Sequence, residues 1–498
     1  MQALVSKTKF LEFLMCPKNT WLKLHKRELL DQFSLSPFEL QLVEQGNEVE
    51  SCARNLFPGG VQVVETGDEA VHETERLMLS KVSTIFQATF VTDGFIAKVD
   101  ALEYDAEKDC WNICEVKGAN SIRENGGDRD HIDDLAFQRS VLMRAKVPLG
   151  RCFLVYLNKE YIRVGDLVIE EMFKKEDVTE KITDRLVGIE PKMEAALEFL
   201  TREDEPGTGC DCHLTGRSTH CSTFKYSHSE VPDYSIHDLA RIGNSKKKLI
   251  AMVERGIYAI EDIPDDITLS VIQANQVQVH LTQKSIIEIE KIRDELGSLT
   301  FPLYFLDYET FAPAIPMFTG YSPYQRIPFQ FSLHILNDPS SKPEHVEYLH
   351  EEASDPSEMV IELLTQHIQP GGSVISWNKS FEQGVNKEMA TRHPAHRVAL
   401  ERINADMYDL QDIFKKQYYV HPDFRGKTSI KKVFPALVDG AQHSDLSIQE
   451  GGQASDAWWQ MISSTTSDVE RAQISQDLKE YCKLDTYAMF KIWKHLYS

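Results

Sequence analysis

The chain has 498 residues, of which 42% are hydrophobic, and it carries a formal net charge of −23 and nine cysteines. That length exceeds one ordinary core, so two or three domains are expected. The absence of any apolar run of about 18 residues excludes an expected membrane-spanning helix, and the negative charge argues against a protein that coats DNA through a broad basic surface. The N-terminal stretch MQALVSKTKFLEFLMCPKN has lysines within its apolar run and no small-residue cleavage site. It therefore does not read as a signal peptide, and a cytosolic location is the default expectation. In such a chain the cysteines read as core residues plus a metal site rather than as a disulfide framework.

Taken in chain order, FIAKVDALEYD (95–105) and CWNICEVKGAN (110–120) read as a strand pair. Asp100 lies on the first. Glu115 and Lys117 share one face of the second, because residues i and i+2 of a strand point the same way. An Asp and a Glu can bind a metal ion, and a nearby lysine can position water and stabilise phosphate charge. A solvated strand face carrying Glu and Lys is the plain alternative. HIDDLAFQRSVLMRAKVPLGRCFLVYLNKEY (131–161) reads as a helix followed by a strand, and TREDEPGTG (201–209) as an exposed loop. CDCHLTGRSTHC then places Cys210, Cys212 and Cys221 close together, while Cys52, Cys110, Cys114, Cys152 and Cys482 read as core residues.

These pieces resemble a RecB-like PD-(D/E)XK nuclease domain over residues 1–228. The carriers are Asp100 with the spaced Glu-Val-Lys, Gln138 at the first position of the branch's Gln-x-x-x-Tyr motif, and Cys16-Pro17 in TKFLEFLMCPKNTWLKL. Leu142 stands where the motif has tyrosine, and Glu50 stands where many such enzymes carry a metal-binding histidine. The resemblance implies catalysis by Asp100, Glu115, Lys117 and Gln138, with Glu50 as a further oxygen ligand. It also implies a [4Fe–4S] cluster on Cys16, Cys210, Cys212 and Cys221 that ties the ends of the domain together. A structural zinc ion on the same cysteines, with His213 or His220, is the rival.

Residues 229–297 read as a helical linker. SIHDLARIGNSKKKLIAMVERGIYAIEDIPDD gives two short helices around Gly243 and Gly256 with a faint helix-hairpin-helix character. VIQANQVQVHLTQKSIIEIEKIRDELGSL is the longest periodic stretch. Three lysine groups, in NSKKKL, IFKKQ and GKTSIKKVF, read singly as solvated faces.

From residue 298 onward, strands and helices alternate. PLYFLDYETF (302–311) is a strand whose Asp307 and Glu309 share a face. FQFSLHILN is the next strand, GGSVISWNKSFEQ a strand running into a helix, and DLKEYCKLDTYAMFKIWKHL a final helix with Tyr481 and Asp485 four apart on one face. Carboxylates are costly to bury unpaired. Four of them, Asp307, Glu309, Glu382 and Asp485, would be compensated by two Mg²⁺ or Mn²⁺ ions of a phosphodiester-cleaving site. Asp409 and Asp412 read as capping or surface acids with a supporting role open. Trp458 and Trp459 read as packing, with base stacking as the alternative.

The order DYE, WNKSFE, YCKLD resembles the three motifs of DnaQ-like 3′–5′ exonucleases of the DEDDy type, on an RNase H-like fold, over residues 298–498. Glu382 stands where that family has aspartate. It implies Asp307, Glu309, Glu382 and Asp485 as metal ligands and Tyr481 as the residue that orients water. The whole chain is similar to a bacterial family in which an iron–sulfur RecB-like half precedes a DnaQ-like half. The expectation is therefore an α/β protein of two nuclease domains joined by a helical linker, acting on DNA in repair, recombination or defence. A nucleic-acid-binding adaptor with one or both centres inactive is the other class, and a ribonuclease is a further alternative. Protein partners are not indicated.

Overall fold

The computed structural model describes residues 4–26, 28–29, 37–124, 130–438 and 447–498. The fold is mixed α/β, as the alternating strands and helices lead one to expect. The chain forms two compact units. The first comprises Met1–His213, Ser218–Ser229 and Pro313–Gln325; the second comprises Leu214–Arg217, Glu230–Ala312 and Arg326–Ser498.

The first unit is built on a sheet in the order β2 (Val61–Gln62), β3 (Thr84–Thr92), β4 (Phe95–Asp105), β5 (Cys110–Lys117), β6 (Leu149–Leu157), β7 (Phe173–Asp177), with β1 (Val5–Ser6) pairing β4 in parallel. β3, β4 and β5 form an antiparallel meander, and β5–β6 is parallel, as a helical crossover requires. The helices are α1 (Lys7–Met15), α2 (Pro17–His25), α3 (Pro37–Ala53), α4 (Asp68–Leu79), α5 (His131–Arg144), the short α6 (Ile169–Met172) and α7 (Thr179–Leu200). α5 carries the crossover. Asp130 caps it by accepting hydrogen bonds from the backbone N–H groups of Ile132 and Asp133. Its apolar side joins Phe95, Val99 and Ile113 of the sheet in one core with Phe10, Trp21 and Met193. Leu142, at the motif's tyrosine position, is fully buried in that core.

α8 (Phe224–Ser227) belongs to the first unit, and the second unit carries α9 (Lys246–Glu254), α10 (Val271–Thr282) and α11 (Ile289–Gly297) among short turns. The long periodic stretch at 271–299 is not one helix. Gln283 adopts a left-handed conformation and ends α10, and the β-branched Ile286–Ile287 (β8) pairs with Tyr419–Val420 (β14) before α11 begins.

The main sheet of this unit has the order β11 (Glu344–Leu349), β10 (Ile327–Leu336), β9 (Leu303–Phe311), β12 (Ser373–Ser376), β13 (Met407–Asp409). The β11–β10–β9 pairs are antiparallel and the β9–β12–β13 pairs parallel. Around it lie α12 (Ser357–His367), α13 (Ser380–Arg392), α14 (Arg397–Ala405), α15 (Asp412–Lys415), α16 (Ile430–Leu437), α17 (Gly451–Met461) and α18 (Asp468–Tyr497). β9 is covered on both faces. Leu303 and Phe305 pack with Met489 and Trp493 of α18, whereas Tyr304, Leu306 and Tyr308 pack with Val360 and Met389 of α12 and α13. Period two therefore puts Asp307 and Glu309 on the α18 face.

Trp458 is fully buried, stacks on Phe329 at 4.8 Å and donates its indole N–H to the His350 carbonyl at 2.7 Å. It is packing, not a base platform. Trp459 is 40% exposed and stacks on Phe311 at 5.3 Å. Trp458→Ala should cost about 3–5 kcal/mol of stability and Trp459→Ala about 1 kcal/mol or less, measured by denaturant unfolding. Equal losses would contradict this assignment.

Candidate functional site

Asp307 and Glu309 on β9 face α18, where Tyr481 and Asp485 occupy one helix face; Glu382 lies in the first turn of α13. Glu309, Glu382, Asp485 and Tyr481 are all less than 9% exposed. Burial raises the Asp307 carboxyl well above its usual range, and the charges of Asp485, Glu309 and Glu382 add to the effect. Burial and Asp485 do the same to Glu309. Glu382 is pushed up to about 8, chiefly by burial, with Asp409 adding and Arg326 opposing. The charges of Asp485 and Glu382 thus act on both Asp307 and Glu309, and ligand atoms of Asp307 and Glu309 lie within 4.8 Å of each other. One oxygen of Glu382, Oε2, has no hydrogen-bond partner among the described residues. A buried cluster of hard oxygen donors with an orphaned lone pair fits a divalent cation.

Two further side chains join this cluster. Cys482 is fully buried with its Sγ 3.9 Å from Asp307 Oδ2, and its sulfur lies within 4.8 Å of ligand atoms of Asp307 and Glu309. Lys431, on α16, lies 5.5 Å from the Tyr481 ring centroid and counteracts the rise at both Asp307 and Glu309. Lys431 thus departs from the solvated face expected for its basic run, whereas its neighbour Lys432 is exposed. Asp409 accepts from the backbone N–H of Asn378 at 2.9 Å and of Gln411 at 3.1 Å, so it braces the turn into α13. Asp412 pairs with Lys416.

The first unit holds a second cluster. Asp100 Oδ2 accepts from the Val116 backbone N–H at 2.9 Å. Glu115 is 1% exposed; its Oε1 receives Lys117 Nζ at 2.7 Å and Lys7 Nζ at 2.6 Å, and its Oε2 receives the Gln138 amide at 2.7 Å. Asp134 completes the group, accepting from Lys117 and from Gln138. Burial works against a charged Glu115, but Lys117 and Lys7 outweigh it and hold that carboxyl below its usual range. Burial raises Asp100, with Glu115 adding. Glu50, on α3, accepts from Arg54 at 2.8 Å and from Gln87, and its charge reaches Asp100. A cavity of about 220 Å³ opens beside Lys117, lined by Arg123, His131 and Asp134.

The third group is the cysteines. Cys16 sits between α1 and α2, and its sulfur lies with those of Cys210, Cys212 and Cys221 inside a 4.8 Å sphere of mutual separation. All nine cysteines are free of disulfides. Hydrogen bonding among the sulfurs pulls Cys210 and Cys212 below the ordinary thiol range and pushes Cys16 and Cys221 above it. His213 and His228 direct ring nitrogens at the Cys210 carbonyl, at 3.2 and 3.0 Å, and His220 stacks on Phe224. Four cysteines so placed can hold a metal ion.

Lys7, Asp134, Lys431 and Cys482 do not stand out in the sequence. For two of them a signal exists: Asp134 is four residues before Gln138, and Cys482 three before Asp485, both spacings that share a helix face.

Residues 304–429 match a family described as a domain of unknown function, DUF2779. That span includes Asp307, Glu309 and Glu382. The chain is also similar to "Uncharacterized protein UU173" of Ureaplasma parvum serovar 3, at 27% identity over 243 residues, 44% of this chain and 35% of that protein. It is similar to "Uncharacterized protein MG366 homolog" of Mycoplasma pneumoniae, at 26% identity over 206 residues, 38% of this chain and 31% of that one. The match thus spans about a third of the length of these curated relatives. No helix among the described residues is long and apolar enough to cross a membrane.

Glu382 has a stability consequence. Its carboxyl rises from 4.5 to about 8 on folding, so between those values the folded state holds the proton more tightly and stability falls as pH rises. Thermal unfolding across that range should show Glu382→Gln gaining on wild type as pH increases. A constant difference would contradict the assignment.

Proposed function

We propose that this chain is a metal-dependent nuclease with two hydrolytic centres, a 3′–5′ exonuclease in the second unit and a RecB-like centre in the first. The observation that carries the reading is the pair Asp307 and Glu309 on one face of a central strand, with ligand atoms within 4.8 Å of each other and the charges of Asp485 and Glu382 acting on both, and with Tyr481 beside them. The sheet order supports it: the first strand is central, the second and third lie antiparallel on one side, and the fourth and fifth parallel on the other. That is the arrangement implied by an RNase H-like fold. The antiparallel meander with Asp100, Glu115 and Lys117, followed by a crossover helix bearing Gln138, supports a PD-(D/E)XK core in the same way.

Asp307, Glu309, Glu382 and Asp485 would hold Mg²⁺ or Mn²⁺, and Asp100 and Glu115, with Glu50 as a further oxygen donor, would hold the same ions in the first unit. Such ions activate water and offset charge on the phosphate. The chain's own residues do the rest. Burial first, then Glu309, Asp485 and Asp307, raises the Tyr481 hydroxyl far above its ordinary value. Tyr481 would orient the attacking water. Lys117 keeps its charge, because Asp134 and Glu115 outweigh the burial that opposes it, and is suited to meet a phosphate oxygen. Gln138 fixes the Glu115 carboxylate.

On the Cys16-Pro17 resemblance the cysteine site would hold a [4Fe–4S] cluster. A single zinc ion is favoured by the sulfur spacing: one tetrahedral ion about 2.3 Å from each sulfur separates the sulfurs by about 3.8 Å, and Cys210 and Cys221 are 3.7 Å apart. Anaerobically purified protein that is brown assigns the cluster; colourless protein with stoichiometric zinc assigns the ion.

DNA is the proposed substrate, with repair, recombination or defence as the setting and RNA as a further substrate class. End-labelled single- and double-stranded DNA, incubated with Mn²⁺ or Mg²⁺, should be shortened stepwise from 3′ ends. Asp307→Ala should slow this by about a hundredfold or more, and activity that survives should fall with Lys117→Ala. Wild-type protein that cuts nothing, yet binds DNA equally well in chelator, would instead indicate an adaptor.

A further inference from the structure

The first unit's acid cluster contains a cation that the proposed chemistry does not require. Lys7 is the first residue of α1, and its backbone is fixed from several directions. Ser6 caps the helix, β1 pairs with β4 through Val5↔Phe95 and Ser6↔Ile96, and one turn on Phe10 stacks on Phe137 at 5.1 Å. Phe137 adjoins Gln138. Lys7 is therefore delivered to Glu115 by packed structure, with Nζ 2.6 Å from Glu115 Oε1 and 3.4 Å from Asp134 Oδ1. The same Oε1 already accepts from Lys117, and Gln138 holds Oε2. A divalent ion shared between Asp100 and Glu115 needs those oxygens too, and it would sit beside a fixed positive charge.

Resting on the nuclease reading, we propose that Lys7 sets the metal affinity of the first unit's centre by competing with the divalent cation for Glu115. Lys117 is the lysine of the nuclease motif, and Lys7 is a positioning residue beside it. Its side chain is 26% exposed and Asp134 lies within reach, so the ammonium has another partner when it leaves Glu115. A phosphate of bound nucleic acid is a second such partner. Lys7 thereby couples ion uptake to substrate: an anion that draws the ammonium away frees Glu115 for the ion.

The test is Mn²⁺ binding by electron paramagnetic resonance, in full chain carrying Asp307→Ala and Asp485→Ala so that the second unit's acids contribute little. Lys7→Met should bind Mn²⁺ about tenfold more tightly than the same chain with Lys7, and Lys7→Arg, which keeps the charge, should match Lys7. Circular dichroism checks folding; if Lys7→Met does not fold, Lys7→Gln replaces it with the same expectation. Unchanged or weaker binding in the uncharged variant, or Lys7→Arg behaving like Lys7→Met, overturns the proposal. Glu115→Gln separates the two levels. If it leaves Mn²⁺ binding intact, the ion is not on Glu115 and the nuclease reading of this centre fails with the proposal. If it abolishes binding while Lys7 variants do nothing, the proposal alone falls.

Discussion

Burying a carboxylate away from water costs several kcal/mol unless a cation or hydrogen-bond donors meet it, and both units of this chain place acids inside. They solve the problem differently. In the first, Glu115 is met by two ammonium groups and an amide and stays ionised. In the second, Asp307, Glu309 and Glu382 are all raised, with Lys431 opposing the rise at Asp307 and Glu309 and Arg326 at Glu382. A cluster of that kind stays protonated or takes up a cation. The elements that hold it are packed on both sides of β9, which fixes the acids in place.

In the first unit, one helix of nine residues connects two of the three candidate sites. α1 begins with Lys7 at Glu115 and ends at Cys16 among the other cysteines. Between them Phe10 and Leu11 are buried and hold the helix against the core. The cysteines lie at one end of α1, and the Ser6 cap and the pairing of β1 with β4 fix the other. A metal ion at these sulfurs would sit roughly the length of the helix from Lys7, about 14 Å at 1.5 Å per residue.

Strand periodicity makes part of this legible in the sequence. Asp307 with Glu309, and Glu115 with Lys117, are found from spacing alone because period two leaves no other arrangement on a strand. Tyr481 and Asp485 follow from the helix repeat. Cys16 is different: its partners are nearly two hundred residues away, and only its likeness to a known motif joins it to them. Lys7 and Lys431 are hidden for another reason. A lysine beside apolar residues or in a basic run reads as a solvated face, and only the fold decides which one turns inward. The break at Gln283 is likewise tertiary. The helical pattern continues past it, but Ile286 and Ile287 find a strand partner in β14, and pairing overrides propensity.

The central claim is that the buried acids of the second unit are a divalent-metal site. The most direct measurement is anomalous diffraction from crystals of the chain grown with Mn²⁺. A peak bounded by the carboxylates of Asp307, Glu309, Glu382 and Asp485, absent from crystals of Asp307→Ala, is the expected result. Ordered protein with those four side chains well defined, Mn²⁺ in excess and no peak among them would contradict it.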